Sequence, residues 1–298
     1  MHSSVLSIAR QLEKYFFDGK RSPTEYFLFL CGGNSPSQSN FRREVGTGIN
    51  SIRSRYRYIT YYPEEMFVEL ILGHQKKDLL SLENMLAESA HAVAILIDSP
   101  GTFTELGAFA NHEKLQDKLI LVIEPKYKKV KSFINLGPVR YLKKRSQSKI
   151  HYIPLDIQHI KPIASAITES CRDIAKHSAP VEDLTNPIFA YNFYLSLIHV
   201  FDPIPKDALI SIGTKLSNCA EDAVIVAAET VVNTLINEGN VSCVSNTLSC
   251  TKKGSERLIY SNPTKNSLQI IRKFLTNIRY QVLNELYRGK IGIKGGAF

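Results

Sequence analysis

Glu105 is the side chain in this sequence whose surroundings best suit chemistry. It is the one charged residue between Asp98 and Asn111, in the stretch AILIDSPGTFTELGAFAN, where an apolar run meets a Ser-Pro-Gly-Thr turn. The small residues Gly107, Ala108 and Ala110 leave room for a bound molecule. A carboxylate on the first turn of a helix is kept ionised by the helix dipole and by backbone N–H groups. Glu105 is therefore suited to act as a nucleophile or to stabilise positive charge, and less suited to act as an acid.

A structural role is the alternative for Glu105. Thr102 and Glu105 have the Ser/Thr-x-x-Glu spacing of a capping box, in which each side chain accepts the backbone N–H of the other residue. Such a box would explain the carboxylate without any chemistry. A capping role tolerates glutamine at position 105, whereas a nucleophilic role does not.

Two other loops carry residues of interest. Cys31, Gly32 and Gly33 follow an apolar run, and paired glycines let the backbone approach a ligand closely, although a plain tight turn is the competing explanation. Pro63 and Glu64 follow the next apolar run. Proline suits the first turn of a helix, so an ordinary helix start is the alternative there.

Alternating apolar runs and amphipathic segments predict a parallel α/β sheet in the first 175 residues. Strands rich in Val, Ile, Leu and Tyr, separated by helices, are typical of sheets covered on both faces. The predicted strands cover 26–31, 57–62, 92–97, 118–124 and 150–155. The predicted helices cover 4–17, 38–53, 64–73, 77–90, 103–115 and 158–176. Ligands bind beyond the carboxyl ends of the strands in such sheets, so the three loops described above should form one site.

The stretch around Glu105, together with the upstream FLCGGN and LLSLENMLAESAHA, resembles the nucleoside deoxyribosyltransferase-like family. In that family a Gly-Thr-x-x-Glu-Leu-Gly-x-Ala segment carries the glutamate that attacks the anomeric carbon of a nucleoside. The same motifs in this order, followed by SFINLGPVR, are similar to toxin effectors encoded beside retron reverse transcriptases. The resemblance covers roughly residues 24 to 140. It implies a Rossmann-like sheet and an N-glycosidase that cleaves the bond between base and ribosyl carbon in NAD or a related nucleotide.

The resemblance also implies roles for single residues around the turn. Glu105 matches the nucleophile, and three residues match the turn that holds the sugar or phosphate, namely Ser99, Gly101 and Thr102.

Upstream of this turn the match is poorer. Deoxyribosyltransferases use an aspartate on the preceding helix, where this chain has Glu83 and Asn84, with Asp78 a less suitable substitute. A solvated helix residue is the alternative for Glu83. We expect Glu83 and Asn84 to contribute to the substrate site, as do the residues of the other two loops: Cys31, Gly32, Gly33, Pro63 and Glu64.

Cleavage of an N-glycosidic bond passes through an oxocarbenium-like state, which a carboxylate below the anomeric carbon stabilises or captures. A positively charged nicotinamide is already a good leaving group, so no strong general acid is required. The lack of histidine in the three loops is therefore compatible with NAD cleavage, and counts against cleavage of neutral purine nucleosides. We expect NAD as substrate, no cofactor and no metal. His91 and His112 are predicted to be surface or capping residues.

The final third of the sequence is different in kind. After HSAPVEDLTNP it turns helical, and LINEGNVSCVSNTLSCTKKG resembles the recognition-helix end and wing of a winged helix-turn-helix. The helix over 220–237 would be the recognition helix, but it is acidic and lacks Lys and Arg, which argues against base-specific reading. Lys252 and Lys253 would contact phosphates from the wing. A helical dimerisation domain with an incidental hairpin is the alternative.

These patterns divide the chain into two predicted domains. Residues 1–178 form a nucleoside deoxyribosyltransferase-like N-glycosidase domain, and residues 179–298 form a helical, winged-helix-like domain that binds DNA or a partner.

The net charge of +9 is concentrated in two runs. Residues 126–149 contain nine Lys or Arg and no acid, and residues 251–298 contain ten basic and two acidic residues. Each basic run alone could be an ordinary solvated face of the protein. Two such runs favour a polyanionic partner, because neutralising phosphates releases counterions and so drives association. The first run follows the fourth strand, so it should emerge on the same sheet edge as the Glu105 loop. We assign its later residues to nucleic-acid or partner binding: Lys143, Lys144, Arg145 and Lys149.

The resemblance implies the partners, which are a retron reverse transcriptase and its multicopy single-stranded DNA. A nucleotide is the expected substrate, and a higher-order assembly is left open.

The enzymatic hypothesis is a nucleotide N-glycosidase toxin that is held in check by this nucleoprotein. The alternative is a non-catalytic nucleotide sensor or DNA-binding regulator that uses the same pocket.

Composition points to a cytoplasmic protein. The 298 residues, 44% of them hydrophobic, are enough for two cored domains. Five scattered cysteines without a Cys-x-x-Cys pair argue against a zinc site or a secreted disulfide framework. No apolar run approaches the ~18 residues of a membrane span, and the first residues do not read as a signal peptide. The sequence therefore predicts neither export nor membrane insertion.

Overall fold

The computed structural model describes residues 3–17, 25–33, 35–54, 56–62, 79–144, 149–177, 183–260 and 265–288. The chain forms two compact units. Residues 21–180 make up the sheet unit, and residues 1–20 with 181–298 make up the helical unit. Three residues of the predicted site lie outside the described ranges, as does the predicted helix over 64–73: Pro63, Glu64 and Arg145.

The elements are numbered in chain order. The described helices are α1 (Ser3–Phe17), α2 (Pro36–Ser51), α3 (Leu79–Ser89), α4 (Pro100–Ala110), α5 (Phe133–Leu136), α6 (Pro138–Lys143), α7 (Ile160–Ile174), α8 (Pro187–Phe201), α9 (Lys206–Leu216), α10 (Glu221–Asn237), α11 (Lys252–Tyr260) and α12 (Lys265–Tyr287). The described strands are β1 (Glu25–Cys31), β2 (Arg57–Tyr61), β3 (Ala92–Ile97), β4 (Leu119–Ile123), β5 (Lys149–Tyr152), β6 (Ile204–Pro205), β7 (Val241–Val244) and β8 (Thr247–Cys250). Among these helices, none combines the length and apolarity that crossing a bilayer requires.

A five-stranded parallel sheet in the order β2-β1-β3-β4-β5 is the centre of the sheet unit. It confirms the predicted parallel α/β sheet, with strand ends within a few residues of those predicted. Every residue of β3 and β4 is buried, because helices cover the sheet on both faces. Alternate residues of β1 share a core with α2 and α7, and the others, ending at Cys31, face the opposite side of the sheet.

Helix α8 is the centre of the helical unit, since most of its residues are buried. The buried stripe of α1, Val5, Ile8, Ala9 and Leu12, belongs to the same core. The sequence prediction had grouped this helix with the sheet. An amphipathic pattern identifies the apolar face of a helix but does not say which core receives it.

The predicted β-hairpin in the helical unit is confirmed. Strands β7 and β8 pair antiparallel, and β6 adds to β8, which gives the order β6-β8-β7. Ser245 and Asn246 form the turn with φ of 47° and 64°. Two consecutive positive φ values match the twist of a tight two-residue hairpin, and Asn tolerates this conformation well.

Lys252 and Lys253 do not lie on this hairpin, so their predicted place on a wing is wrong. They are the first residues of α11. Thr251 starts that helix because its Oγ1 accepts the backbone N–H of Gly254 at 3.1 Å and its carbonyl accepts the N–H of Ser255 at 3.0 Å.

His91 is buried at the start of β3, which corrects its prediction as a surface or capping residue. Its backbone N–H donates to the carbonyl of Phe27, and its Nδ1 accepts the Phe27 N–H at 3.0 Å. The ring stacks on Tyr26 with centroids 4.6 Å apart. Burial, and then the charge of Lys118, lower the pKa of His91 to about 4.

Acid should therefore destabilise the sheet unit between pH 6.5 and about pH 4. The folded protein keeps His91 neutral while the unfolded chain takes up a proton, so the free energy of unfolding falls as the pH falls through this window. Full protonation costs up to about 3 kcal/mol. We expect the drop in melting temperature between about pH 7 and about pH 4.5 to be smaller in His91→Gln than in the native protein.

The control is His177→Gln, because His177 is exposed in the same unit. This variant should retain the native acid sensitivity. An equal drop in the native protein and in His91→Gln would show that this histidine does not limit acid stability.

Candidate functional site

The loops after β1 and β3 meet at the centre of the sheet. The strand order changes direction between these two strands, and ligands of open α/β sheets bind outside the carboxyl ends at such a switch point. Asp98, directly after β3, joins the two loops because its Oδ1 accepts the backbone N–H of Gly33 at 2.9 Å. The Asp98 carbonyl accepts Nε2 of Gln38 at 2.9 Å.

From the sequence, we expected Gly32 and Gly33 to let the backbone approach a ligand closely. In the structure, the backbone at these glycines lies close to side chains of α2. A Cβ at Gly32 would lie 2.8 Å from Cδ of Arg42, and one at Gly33 would lie 2.4 Å from the Gln38 side chain. Arg42 is 1% exposed, and its Nη1 donates to the carbonyl of Gly32 at 3.2 Å. Both glycines are thus explained by packing of the loop against α2.

Helix α4 begins three residues earlier than predicted, at Pro100. Ser99 is its N-cap and forms a capping box with Thr102. Oγ1 of Thr102 accepts the Ser99 N–H at 3.1 Å, and the Thr102 N–H donates to Oγ of Ser99 at 3.4 Å. Pro100 suits the first helical position, and Gly101 is exposed beside it.

This cap corrects two expectations about Glu105. The capping box pairs Thr102 with Ser99 and not with Glu105, so the structural alternative for the carboxylate is wrong. Glu105 also lies on the second turn of α4, because the helix starts at Pro100, and it lies beyond the first turn over which the dipole acts most strongly.

Glu105 instead lies beside Glu83 of α3 and Cys31 of β1. One oxygen of each carboxylate and the Sγ of Cys31 are within 4.8 Å of one another. Cys31 is fully buried, and both glutamates are half-buried. The predicted grouping of these three residues is therefore present in the geometry. Asn84 follows Glu83 on α3 and is half-buried.

The three groups perturb one another electrostatically. Burial, and then the charge of Glu105, raise the pKa of Glu83 to about 7. Burial, followed by the charges of Glu105 and Glu83, raises the pKa of the Cys31 thiol well above its usual range. The thiol also donates a hydrogen bond to Glu105. At neutral pH, Cys31 is thus a thiol, and Glu83, with its pKa of about 7, is protonated part of the time.

The same three donor atoms are close enough together to hold a metal ion. Binding of an ion there would require Cys31 to lose its proton, because metals bind the thiolate form of cysteine.

A cavity of about 360 Å³ opens beyond the carboxyl ends of β3 and β4, and its lining does not include Cys31, Glu83 or Glu105. Its lining combines aromatic rings with polar and charged groups, as is usual for small-molecule sites. The lining residues are Ser37, Gln38, Phe41, Ile97, Asp98, Ser99, Pro100, Phe103, Glu124, Lys126, Tyr127 and Leu155.

The basic residues assigned to partner binding are dispersed. Lys149 begins β5, opposite the edge at which Asp98 lies, and its Nζ is 3.4 Å from a carboxylate oxygen of Asp173. We expected the whole basic run to emerge at the same sheet edge as the Glu105 loop. This expectation is wrong for Lys149, because the strand that it begins starts at the opposite edge of the parallel sheet. Lys143 donates to the hydroxyl of Tyr152 at 3.2 Å, and Lys144 is exposed.

Sequence reasoning missed Asp98 and Arg42. An acid directly after a central strand was the available signal for Asp98. Nothing in the sequence marked Arg42 as buried, because arginines on amphipathic helices are usually exposed.

Comparison with known proteins identifies the family to which the chain belongs. The family model described as STM3845 retron effector protein matches residues 39–250. The chain is 28% identical to the "Retron Ec86 putative ribosyltransferase/DNA-binding protein" of Escherichia coli over 86% of this chain and 87% of that protein. It is 34% identical to the "Retron Ec73 putative ribosyltransferase/DNA-binding protein" of Escherichia coli over 64% of this chain and 66% of that protein. Because the family model covers well over half of its length, the chain belongs to the retron effector protein family.

Proposed function

We propose that this effector is an N-glycosidase that uses Glu105 to cleave the bond between base and ribosyl carbon in NAD or a related nucleotide. The observation that carries the proposal is the convergence of Glu105 and Glu83 at the switch point of the sheet. The helix cap is made by other residues, so capping does not account for Glu105. The ribosyltransferase names of the two relatives are consistent with glycosyl transfer.

The spacing of the carboxylates favours a covalent route. Inverting glycosidases hold their carboxyl groups about 6.5–9.5 Å apart to admit a water, whereas retaining enzymes hold them about 5 Å apart. The oxygens of Glu83 and Glu105 are within 4.8 Å of each other. In the proposed reaction a Glu105 oxygen bonds to the anomeric carbon as the base leaves with the electrons of the C–N bond. Water then attacks that carbon and releases the carboxylate.

Glu83 has a role in both steps. With its pKa raised to about 7, it carries a proton that can be given to a neutral leaving base. After this transfer Glu83 is a carboxylate, and once Glu105 is esterified one cause of the raised pKa of Glu83 is gone. Glu83 therefore stays ionised until it accepts the proton of the attacking water.

The helical unit is proposed to bind the partner. Its order α8, β6, α9, α10, β7, β8 is the order expected for a winged helix, which supports the predicted resemblance. Lys252 and Lys253 are exposed at the start of α11, and Lys143 and Lys144 are exposed in the sheet unit. We propose that these residues, with Lys149, contact the retron reverse transcriptase and its multicopy single-stranded DNA, which hold the enzyme in check.

Glu105→Gln should lower base release by about a thousandfold or more, because glutamine keeps the shape of the side chain but is no nucleophile. The measurement is chromatography of free base after the purified protein is incubated with NAD and with a panel of nucleotides. Glu113→Gln is the control, since Glu113 is exposed just beyond α4. Circular dichroism should show that both variants are folded.

Full activity of Glu105→Gln would falsify the enzymatic assignment. If the native protein binds nucleotides in calorimetry but releases no base from any of them, the non-catalytic sensor hypothesis replaces the proposal.

The proton on Glu83 should matter only for a neutral leaving base. For purine nucleotides, we expect kcat/KM to fall above about pH 7 and to drop about a hundredfold or more in Glu83→Gln. The nicotinamide of NAD leaves without protonation. For NAD, we therefore expect the fall of kcat/KM above about pH 7 and the drop of kcat/KM in Glu83→Gln each to be less than about tenfold. Glu88→Gln on the same helix is the control. An equal loss with both kinds of substrate would contradict the acid role of Glu83.

A further inference from the structure

The segment Lys126–Tyr141, which follows β4, carries an unusual number of exposed apolar side chains. Phe133 is 85% exposed, Leu136 57%, Val130 46%, Tyr141 45% and Tyr127 40%. Contiguous exposed apolar groups on a soluble domain mark interaction sites. The cluster of Glu83, Glu105 and Cys31 makes no use of these side chains.

This segment is a folded platform. Nδ2 of Asn135 donates to the carbonyls of Tyr127 at 2.6 Å and Val130 at 2.7 Å, which fixes the turn. Ser132 caps α5, and the hydroxyl of Tyr141 donates to Gln116 at 3.0 Å. A backbone held in this way loses little conformational entropy when the segment binds a partner.

Basic side chains surround these rings. The segment contains no acid, and all of its basic residues are exposed: Lys126, Lys128, Lys129, Lys131 and Arg140. Nζ of Lys126 lies 5.0 Å from the ring centroid of Tyr127, and Nζ atoms of Lys128 and Lys143 each lie 5.3 Å from that of Tyr152.

The composition distinguishes between classes of partner. Protein interfaces are depleted of lysine, because its amine is strongly hydrated and costly to bury. Single-stranded nucleic acid needs lysines along its phosphates and aromatic rings on which its bases stack. We propose that the segment Lys126–Tyr141 binds single-stranded nucleic acid, with Tyr127 and Phe133 stacking on bases and the lysines neutralising phosphates.

This surface adjoins Lys143, which is assigned above to the retron partner and lies over the same Tyr152 ring as Lys128. The proposal does not depend on the glycosidase proposal. Two residues of the segment, Lys126 and Tyr127, also line the 360 Å³ cavity beyond β3 and β4. A bound strand would therefore lie next to the entrance of that cavity.

Stacking is tested with Phe133→Ala and Tyr127→Ala in the full chain, by fluorescence anisotropy with a labelled single-stranded oligonucleotide. Each variant should weaken binding by about fivefold to a hundredfold, which is the range for loss of one stacked base. Ile157→Ala should bind as the native protein does, because Ile157 is 72% exposed outside the segment. The same oligonucleotide as a duplex should be bound without dependence on Phe133.

Phosphate contact is tested by the triple variant Lys128→Gln, Lys129→Gln and Lys131→Gln. It should flatten the slope of log affinity against log salt by about 2, since each contact with a single strand contributes about 0.7. Lys161→Gln, an exposed residue of α7, is the control and should leave the slope unchanged.

Photo-crosslinking to a bromodeoxyuridine oligonucleotide should modify peptides of residues 126–141. Crosslinks confined to the helical unit, together with native affinity of Phe133→Ala, would overturn the proposal. So would loss of self-association in Phe133→Ala at unchanged oligonucleotide affinity, which would make this surface a contact between copies of the chain.

Discussion

Repulsion between two half-buried carboxylates at the end of β1 is the constraint on which the rest of the site depends. Glu83 and Glu105 approach within 4.8 Å beside a fully buried thiol, and burial keeps water from screening their charges. Burial, and then the repulsion from Glu105, raise the pKa of Glu83 to about 7. Near neutral pH, Glu83 therefore carries a proton part of the time beside the Glu105 carboxylate. This is the combination that glycosyl transfer uses.

The surrounding fold keeps this pair in place by means of other side chains. Asp98 ties the β3 loop to Gly33, the Ser99–Thr102 box starts α4, and Arg42 holds the carbonyl of Gly32. Each of these bonds is buried or half-buried, so breaking it would leave a polar group poorly solvated. Helices α3 and α4 can then hold their carboxylates at close range, because the strand ends and the helix start beneath them are fixed.

The sequence predicted the sheet well because strands covered on both faces are continuous apolar runs, as in AVAILI and LILVI. The resemblance to nucleoside deoxyribosyltransferases led us to expect Glu105 and Glu83 in one site, and the loop after the first strand led us to expect Cys31 there as well. The helix cap was harder to predict, since Ser99, Thr102 and Glu105 offer two overlapping capping boxes. Pro100 at the first helical position was the signal that decided between them.

Other features could not be predicted from local pattern. The burial of Arg42 depends on the missing side chain of Gly32, which lies ten residues away. The place of α1 in the helical unit depends on a core formed by residues after 183. Such long-range packing has no local sequence signal, because propensity and periodicity report only on neighbours along the chain.

The central claim is that Glu105 attacks the anomeric carbon, and trapping the glycosyl-enzyme tests it most directly. A nucleotide analogue with fluorine at the 2′ carbon slows both steps, because fluorine destabilises the oxocarbenium-like transition states. Intact mass and peptide mapping would locate the adduct. The account predicts one added glycosyl group on the peptide that contains Glu105. Steady release of base without any adduct, or an adduct on Glu83 instead, would contradict it.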